Sequence, residues 1–179
     1  MAISATFPSR PMTTAEADFT RPADTTAYAS GDLVANSTTA GSVTPMQFIL
    51  PAERGGHIHI HRCRLRKSGT SITNAAFRVH FYTAAPVFSN GDNGVYVSTQ
   101  PDAYLGSIDV TIGLAFASDA VGWGGALTDA LAIAEDLNVG ATIYVAVEAR
   151  GAYTPESGEV FSLLVRLRFE RHGYNRSEA

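Results

Sequence analysis

Cysteine is almost missing from this chain. Cys63 stands alone among 179 residues, which excludes an internal disulfide framework and any cysteine-based zinc finger. Lysine is equally scarce: Lys67 is the only one, and arginine supplies the rest of the positive charge, a bias we attribute to a GC-rich coding sequence. Charged residues make up only 17% of the chain, and thirteen basic against seventeen acidic side chains leave a net charge of −4. No basic footprint therefore points to nucleic acid. No apolar run approaches the roughly 18 residues that cross a bilayer, so no membrane partner is expected. The opening residues, Met1 to Pro11, lack the basic and apolar regions of a secretory signal, which predicts synthesis in the cytoplasm.

What is present fits a mildly acidic chain of about one-domain size. With 45% apolar residues and a mean hydropathy of +0.03, it is too apolar for an intrinsically disordered protein. A chain this long hides roughly two-thirds of its unfolded surface, so a core forms without staples. Alanine, glycine, serine and threonine abound, with valine and isoleucine in short runs, a mixture that suits strands and turns.

Residues 1–20 read as an irregular polar arm carrying Pro8 and Pro11. A first strand is predicted from Thr26 to Val34, interrupted at Ser30-Gly31-Asp32, and a short apolar run follows from Met46 to Leu50. His57 to Arg66 reads as extended. Asn74 to Tyr82 alternates cleanly, with Phe77, Val79 and Phe81 on one face and Arg78, His80 and Tyr82 on the other. A long loop over 84–102 leads to a strand from Tyr104 to Ile112, which Leu114 to Ala117 continues. Gly122-Trp123-Gly124-Gly125 reads as loop, and Ala126 to Val139 as strand and turn rather than short helix. Thr142 to Ala149 is an apolar strand covered on both faces. Val160 to Glu170 closes the domain, with Phe161, Leu163, Val165, Leu167 and Phe169 inward and Arg166 and Arg168 outward. This pattern predicts an all-β, single-domain antiparallel β-sandwich, jelly-roll-like, over residues 21–172, with a C-terminal tail over 173–179.

His57-Ile58-His59-Ile60-His61 is the most suggestive local feature. Alternate strand residues face one side, so His57, His59 and His61 could converge on a metal ion, with Cys63 at the same parity as a fourth ligand. The spacing resembles the His-x-His of cupins, which are metal-binding jelly-roll enzymes. Cupins then place a glutamate where this chain has Cys63, Arg64, Leu65 and Arg66, and their second motif is missing. Arginines beside the site would also oppose a divalent cation. The favoured reading is a solvent-facing ladder. It requires a bulge near His61-Arg62 that adds one residue, so that Ile58 and Ile60, then Cys63 and Leu65, all turn inward.

Other chemistry is thinner. Asp92 and Asp102 could offer oxygen ligands to calcium, but their spacing matches no EF-hand loop and turn chemistry is favoured. Ser68-Gly69-Thr70-Ser71 lacks the lysine and remote glycine of a phosphate loop, and no nucleophile elbow is present. No enzyme, catalytic residue, cofactor or bound metal is therefore expected. The candidate partner contacts are Arg62, Arg64, Arg66, Arg166 and Arg168, which fall on strands, together with Trp123. Arginine and tryptophan are favoured at protein interfaces.

Three stretches carry a resemblance. Thr20 to Asp32 (TRPADTTAYASGD) resembles the opening of a group of small tailed-phage virion proteins. Arg64 to Ser68, running on through Asn74 to Pro86 (NAAFRVHFYTAAP), is similar to their central hairpin, and Ala149 to Glu159 (ARGAYTPESGE) to their final connection. The resemblance implies a capsid decoration, or cement, protein. Such a protein is a β-sandwich on the outside of the virion that bridges major capsid protein subunits and stabilises the head. By the same analogy it implies a homo-oligomer, a dimer or trimer, on the capsid surface. The histidine ladder departs from the apolar or small residues usual there. A phage tail or fibre component, touching a receptor or glycan through the 84–102 loop, is the alternative, and a cupin-like metal-dependent enzyme is the second.

Overall fold

Ten strands are found among the residues described by a computed structural model of the chain, which are 12–50, 56–125, 132–133 and 142–171. They are β1 (Met12–Thr20), β2 (Leu33–Val34), β3 (Met46–Ile49), β4 (Gly56–Lys67), β5 (Ala76–Tyr82), β6 (Tyr104–Ala115), β7 (Ala120–Gly124), β8 (Ala132–Ile133), β9 (Thr142–Ala149) and β10 (Val160–Arg171). The order across the sheet is β1-β10-β4-β7-β6-β5-β9-β2, with β8 on β4 and β3 on β9. All pairings are antiparallel. The fold is an all-β single domain, one antiparallel sheet curled into a half-barrel. The curl passes through β6, whose residues 104–111 pair with β5 and residues 112–115 with β7.

The concave side holds the core. Phe77, Val79 and Phe81 of β5 are buried there, as their alternation predicts, with Val145 and Val147 of β9 and Ile108 and Val110 of β6. Cys63 and Leu65 of β4 and Phe161, Leu163 and Val165 of β10 line the other half. Phe77 meets Phe161 edge-on across this core at 5.3 Å between centroids. Burying each such side chain stabilises the fold by about 1.5–3 kcal/mol.

Two buried ion pairs tie the connections to this frame. Lys67, at the end of β4, donates from Nζ to Glu159 Oε1 at 3.0 Å and to the Gly69 carbonyl at 2.8 Å. The Tyr153 hydroxyl donates to the same carboxylate at 2.7 Å. Beside it, Arg21, whose amide donates to the Glu159 carbonyl at 3.0 Å, pairs with Asp92 at 2.7 Å and also donates to the Tyr28 hydroxyl. Asp92 accepts further bonds from the Tyr28 hydroxyl and the Ala35 amide, both at 2.7 Å.

Several expectations are corrected. Residues 12–20 are not an irregular arm but β1, paired along its length with β10; residues 1–11 lie outside the described residues. The Thr26–Val34 strand shrinks to Leu33–Val34. The Trp123 segment is strand β7 rather than loop. Of the 126–139 reading only Ala132–Ile133 is described, and it is strand. The Phe169 side chain and the 173–179 tail lie outside the described residues.

Candidate functional site

Residues paired across an antiparallel ladder share a face, so the register of β1, β10, β4 and β7 sorts the candidate contacts into rows. Arg166 lies opposite Arg62 on one side and Thr14 on the other. In the next row Glu16, Leu164, Arg64 and Trp123 follow one another across the sheet. Asp18, Ser162, Arg66 and Val121 make the third, and Leu114 of β6 extends it. Arg168 stands two residues beyond Arg166, opposite His59. The structure thus brings Arg62, Arg64, Arg66, Arg166, Arg168 and Trp123 onto one convex face.

Trp123 is its centre. The Arg62 guanidinium lies 4.2 Å from the indole centroid, and those of Arg64 and Arg166 lie 5.7 Å away. Each such contact at an exposed site is worth about 0.5–1 kcal/mol. The indole nevertheless stays 39% exposed. Arg64 reaches Glu16 at 3.5 Å, and Arg66 reaches Asp119 at 3.9 Å. Among the described residues, neither Arg62 nor Arg166 has an ion-pair partner. Positive charge without a counter-ion beside an open indole gains from an incoming carboxylate, because charge-assisted bonds to guanidinium are the strong ones.

The glycines beside Trp123 explain how a strand carries it. Gly122 and Gly124 face the core, where β6 passes beneath β7. A Cβ at Gly122 would stand 2.2 Å from the Thr111 carbonyl oxygen, and one at Gly124 would stand 2.3 Å from Ile108 Cγ2. Alternation then sends the indole outward.

The bulge that a solvent-facing histidine ladder requires is present. Pairing steps from Arg166–Arg62 to Leu167–Ile60, leaving His61 as the extra residue of a bulge. Ile60, Cys63 and Leu65 are buried as a result. Cys63 cannot join the histidines as a fourth ligand, because the bulge turns it into the core, where burial pushes its thiol up to about 12. The His57 side chain lies outside the described residues. Among the described residues, no three His, Cys, Asp or Glu side chains gather at metal-binding distance. Asp92 is a buried acceptor rather than a loop ligand, and Asp102 sits exposed in a short 3-10 turn, Pro101–Ala103.

A second cluster, not singled out by the sequence, lies on the outer face of the other half. Alternation on β5 sends His80 and Tyr82 outward. A bulge on β6 brings Tyr104 to the same side: pairing steps from Phe81–Gly106 to Tyr82–Tyr104, and Gly106 adopts a φ of +134°. Tyr96, from the 84–102 loop, stacks on His80 at 4.3 Å between centroids. The Tyr82 and Tyr96 hydroxyls bond at 2.6 Å. His80 Nε2 lies 2.9 Å from Glu148, and its Nδ1 lies 3.3 Å from the Tyr104 hydroxyl. The carboxylate can only accept, so Nε2–H donates to it, and in the neutral ring Nδ1 accepts from the Tyr104 hydroxyl.

Burial holds the His80 imidazole below its ordinary value, outweighing Glu148; Arg78 lowers it further, and Asp109 opposes. With the folded value below the unfolded one of about 6.5, the unfolded chain takes up the proton first as pH falls. This contribution is complete above pH ~6.5 and declines below it at no more than about 1.4 kcal/mol per pH unit, levelling off beneath the folded value. Urea unfolding at a series of pH values should show that decline, and His80→Gln should flatten it; an equal slope in the variant would contradict the assignment.

Comparison with known proteins gives no family model that matches the chain and no curated protein that matches it in sequence.

Proposed function

We propose that this chain is a non-catalytic capsid decoration protein of a tailed phage, docked on the outside of the shell through its arginine and tryptophan face. The fold reading beneath this is a jelly-roll β-sandwich, and the strand order supports it. With β2 and β3 counted as one element and β8 set aside, chain order runs 1-8-3-6 across one half and 2-7-4-5 across the other. That is the order produced when two Greek keys wrap around one core. Jelly rolls serve viral capsids, lectins and cupins alike, so the fold does not choose among them.

The observation that carries the choice is Trp123 ringed by Arg62, Arg64 and Arg166 on an open face. Leu114, Val121 and Leu164 add apolar surface around it, while Glu16, Asp18 and Asp119 stand on the same face or at its edge. Apolar residues mixed with both signs of charge suit a protein surface. The carboxylates would repel a phosphate backbone. The partner is the major capsid protein, met through its acidic residues, and the chain works as a small homo-oligomer whose copies bridge neighbouring subunits. Many copies acting together need only modest area each. Residues 1–20, of which Met12–Thr20 form edge strand β1, are the second contact element.

Quantitative mass spectrometry of purified virions tests the reading. A ratio to the major capsid protein within a few-fold of one is expected. A trace ratio would reassign the chain to the tail or fibre. Its absence from virions would overturn a structural role, and stoichiometric metal would then favour the cupin-like reading.

A further inference from the structure

The loop over 84–102 and the adjoining ends of β5 and β6 form an open cleft of about 430 Å³ that the docking face does not use. Four rings build it, those of His80, Tyr82, Tyr96 and Tyr104, and Ser98 and Gln100 add polar side chains. We propose that this cleft binds a neutral saccharide of one or two pyranose rings. The inference stands on a different face of the molecule and does not depend on the capsid reading.

Size and chemistry both point that way. Small-molecule sites occupy about 300–1,000 Å³ and combine aromatic walls with a few placed polar groups. A pyranose offers a flat patch of C–H bonds to one aromatic face and hydroxyls around its edge. Tyr104, 42% exposed, presents such a face, and Gln100 and Ser98 supply donors and acceptors for the edge. Among the described residues, no Asp, Glu, Lys or Arg lines the cleft, so a charged ligand would lose hydration without meeting a counter-ion there.

A planar aromatic ligand fits less well. It wants two parallel rings with a gap between them. Here His80 and Tyr96 are already stacked on each other, and Tyr82 and Tyr104 are tilted by 58°.

The rings are also held before any ligand arrives. The Tyr82–Tyr96 hydroxyl bond ties the loop to β5, and the His80–Tyr104 contact ties β5 to β6. Behind them Glu148 is engaged by both His80 and Arg150. Rigid aromatic surfaces lose little entropy on binding. The β6 bulge between Tyr104 and Gly106 turns Tyr104 away from the core and toward the cleft.

The test titrates the full chain with methyl glycosides of glucose, galactose, mannose and N-acetylglucosamine and with their trisaccharides, read by proton NMR. At millimolar concentration at least one should shift tyrosine ring resonances while the indole of Trp123, on the other half, stays put. Tyr104→Ala should weaken binding by about tenfold or more, and Tyr104→Phe should retain it within a few-fold. Gln100→Ala, which leaves the rings intact, should weaken it about threefold. The proposal is overturned if no sugar in the panel shifts the rings, if Tyr104→Ala binds as well as the parent chain, or if adenosine or indole shifts them where sugars do not.

Discussion

Lys67→Met should destabilise the fold by about 3–5 kcal/mol, as breaking a buried ion pair does when one charge is left behind. Lys67 is fully buried and Glu159 is 1% exposed. Removing the ammonium leaves that carboxylate with the Tyr153 hydroxyl as its remaining side-chain donor among the described residues and takes the Nζ bond from the Gly69 carbonyl. Against a typical stability of about 5–15 kcal/mol, the loss is a large share. The informative comparison is Lys67→Met with Glu159→Leu in one chain. The double variant removes both charges together, so it should recover most of the loss. Urea unfolding of the parent chain, the two single variants and the double variant measures this. A double variant that loses as much as the singles added together would show that the two side chains do not act as a pair.

Lys67 also marks where sequence reasoning stops. Cys63, Leu65 and Lys67 share inward parity on β4, so the pattern places a lysine in the core; its partner lies 92 residues away, and no local pattern pairs them. Features that depend only on alternation are legible in the sequence. Phe77, Val79 and Phe81 mark β5, and the parity conflict between Ile60 and Cys63 is enough to require the His61 bulge. β1 is hard to read because its inward residues are Ala15, Ala17 and Phe19, and alanine at alternate positions is a faint signal among threonines and acids. An edge strand needs only one buried face, so this pattern suffices physically.

The site residues divide in the same way. The arginines are legible because outward parity on β4 and β10 exposes them. Trp123 reads as loop because glycine usually punctuates, whereas Gly122 and Gly124 mark the close passage of two strands. The tyrosine cleft is hidden by the β6 bulge. Strict alternation from Ile108 and Val110 points Tyr104 into the core, and one extra residue reverses it.

On the proposed docking, Trp123→Ala should weaken affinity for stripped capsid shells by about 30-fold or more, the effect of a central interface residue worth at least about 2 kcal/mol. Three guanidinium groups share its indole, so truncation removes the contact and loosens Arg62 together with it. Arg62→Glu with Arg166→Glu should do more, since an acidic docking surface would then meet like charge at the centre of the patch. Both arginines are free of ion pairs among the described residues, so the double variant should keep the fold within about 1 kcal/mol of the parent chain. Loss of binding then cannot be charged to unfolding. Co-sedimentation with shells across a salt series separates the contributions. The parent chain should bind more weakly as salt rises, and Trp123→Ala should lose affinity at every salt concentration, because an aromatic contact is not screened. Full occupancy by Trp123→Ala would remove this face from the docking surface. Binding to DNA but not to shells would transfer the same arginines to a nucleic-acid partner.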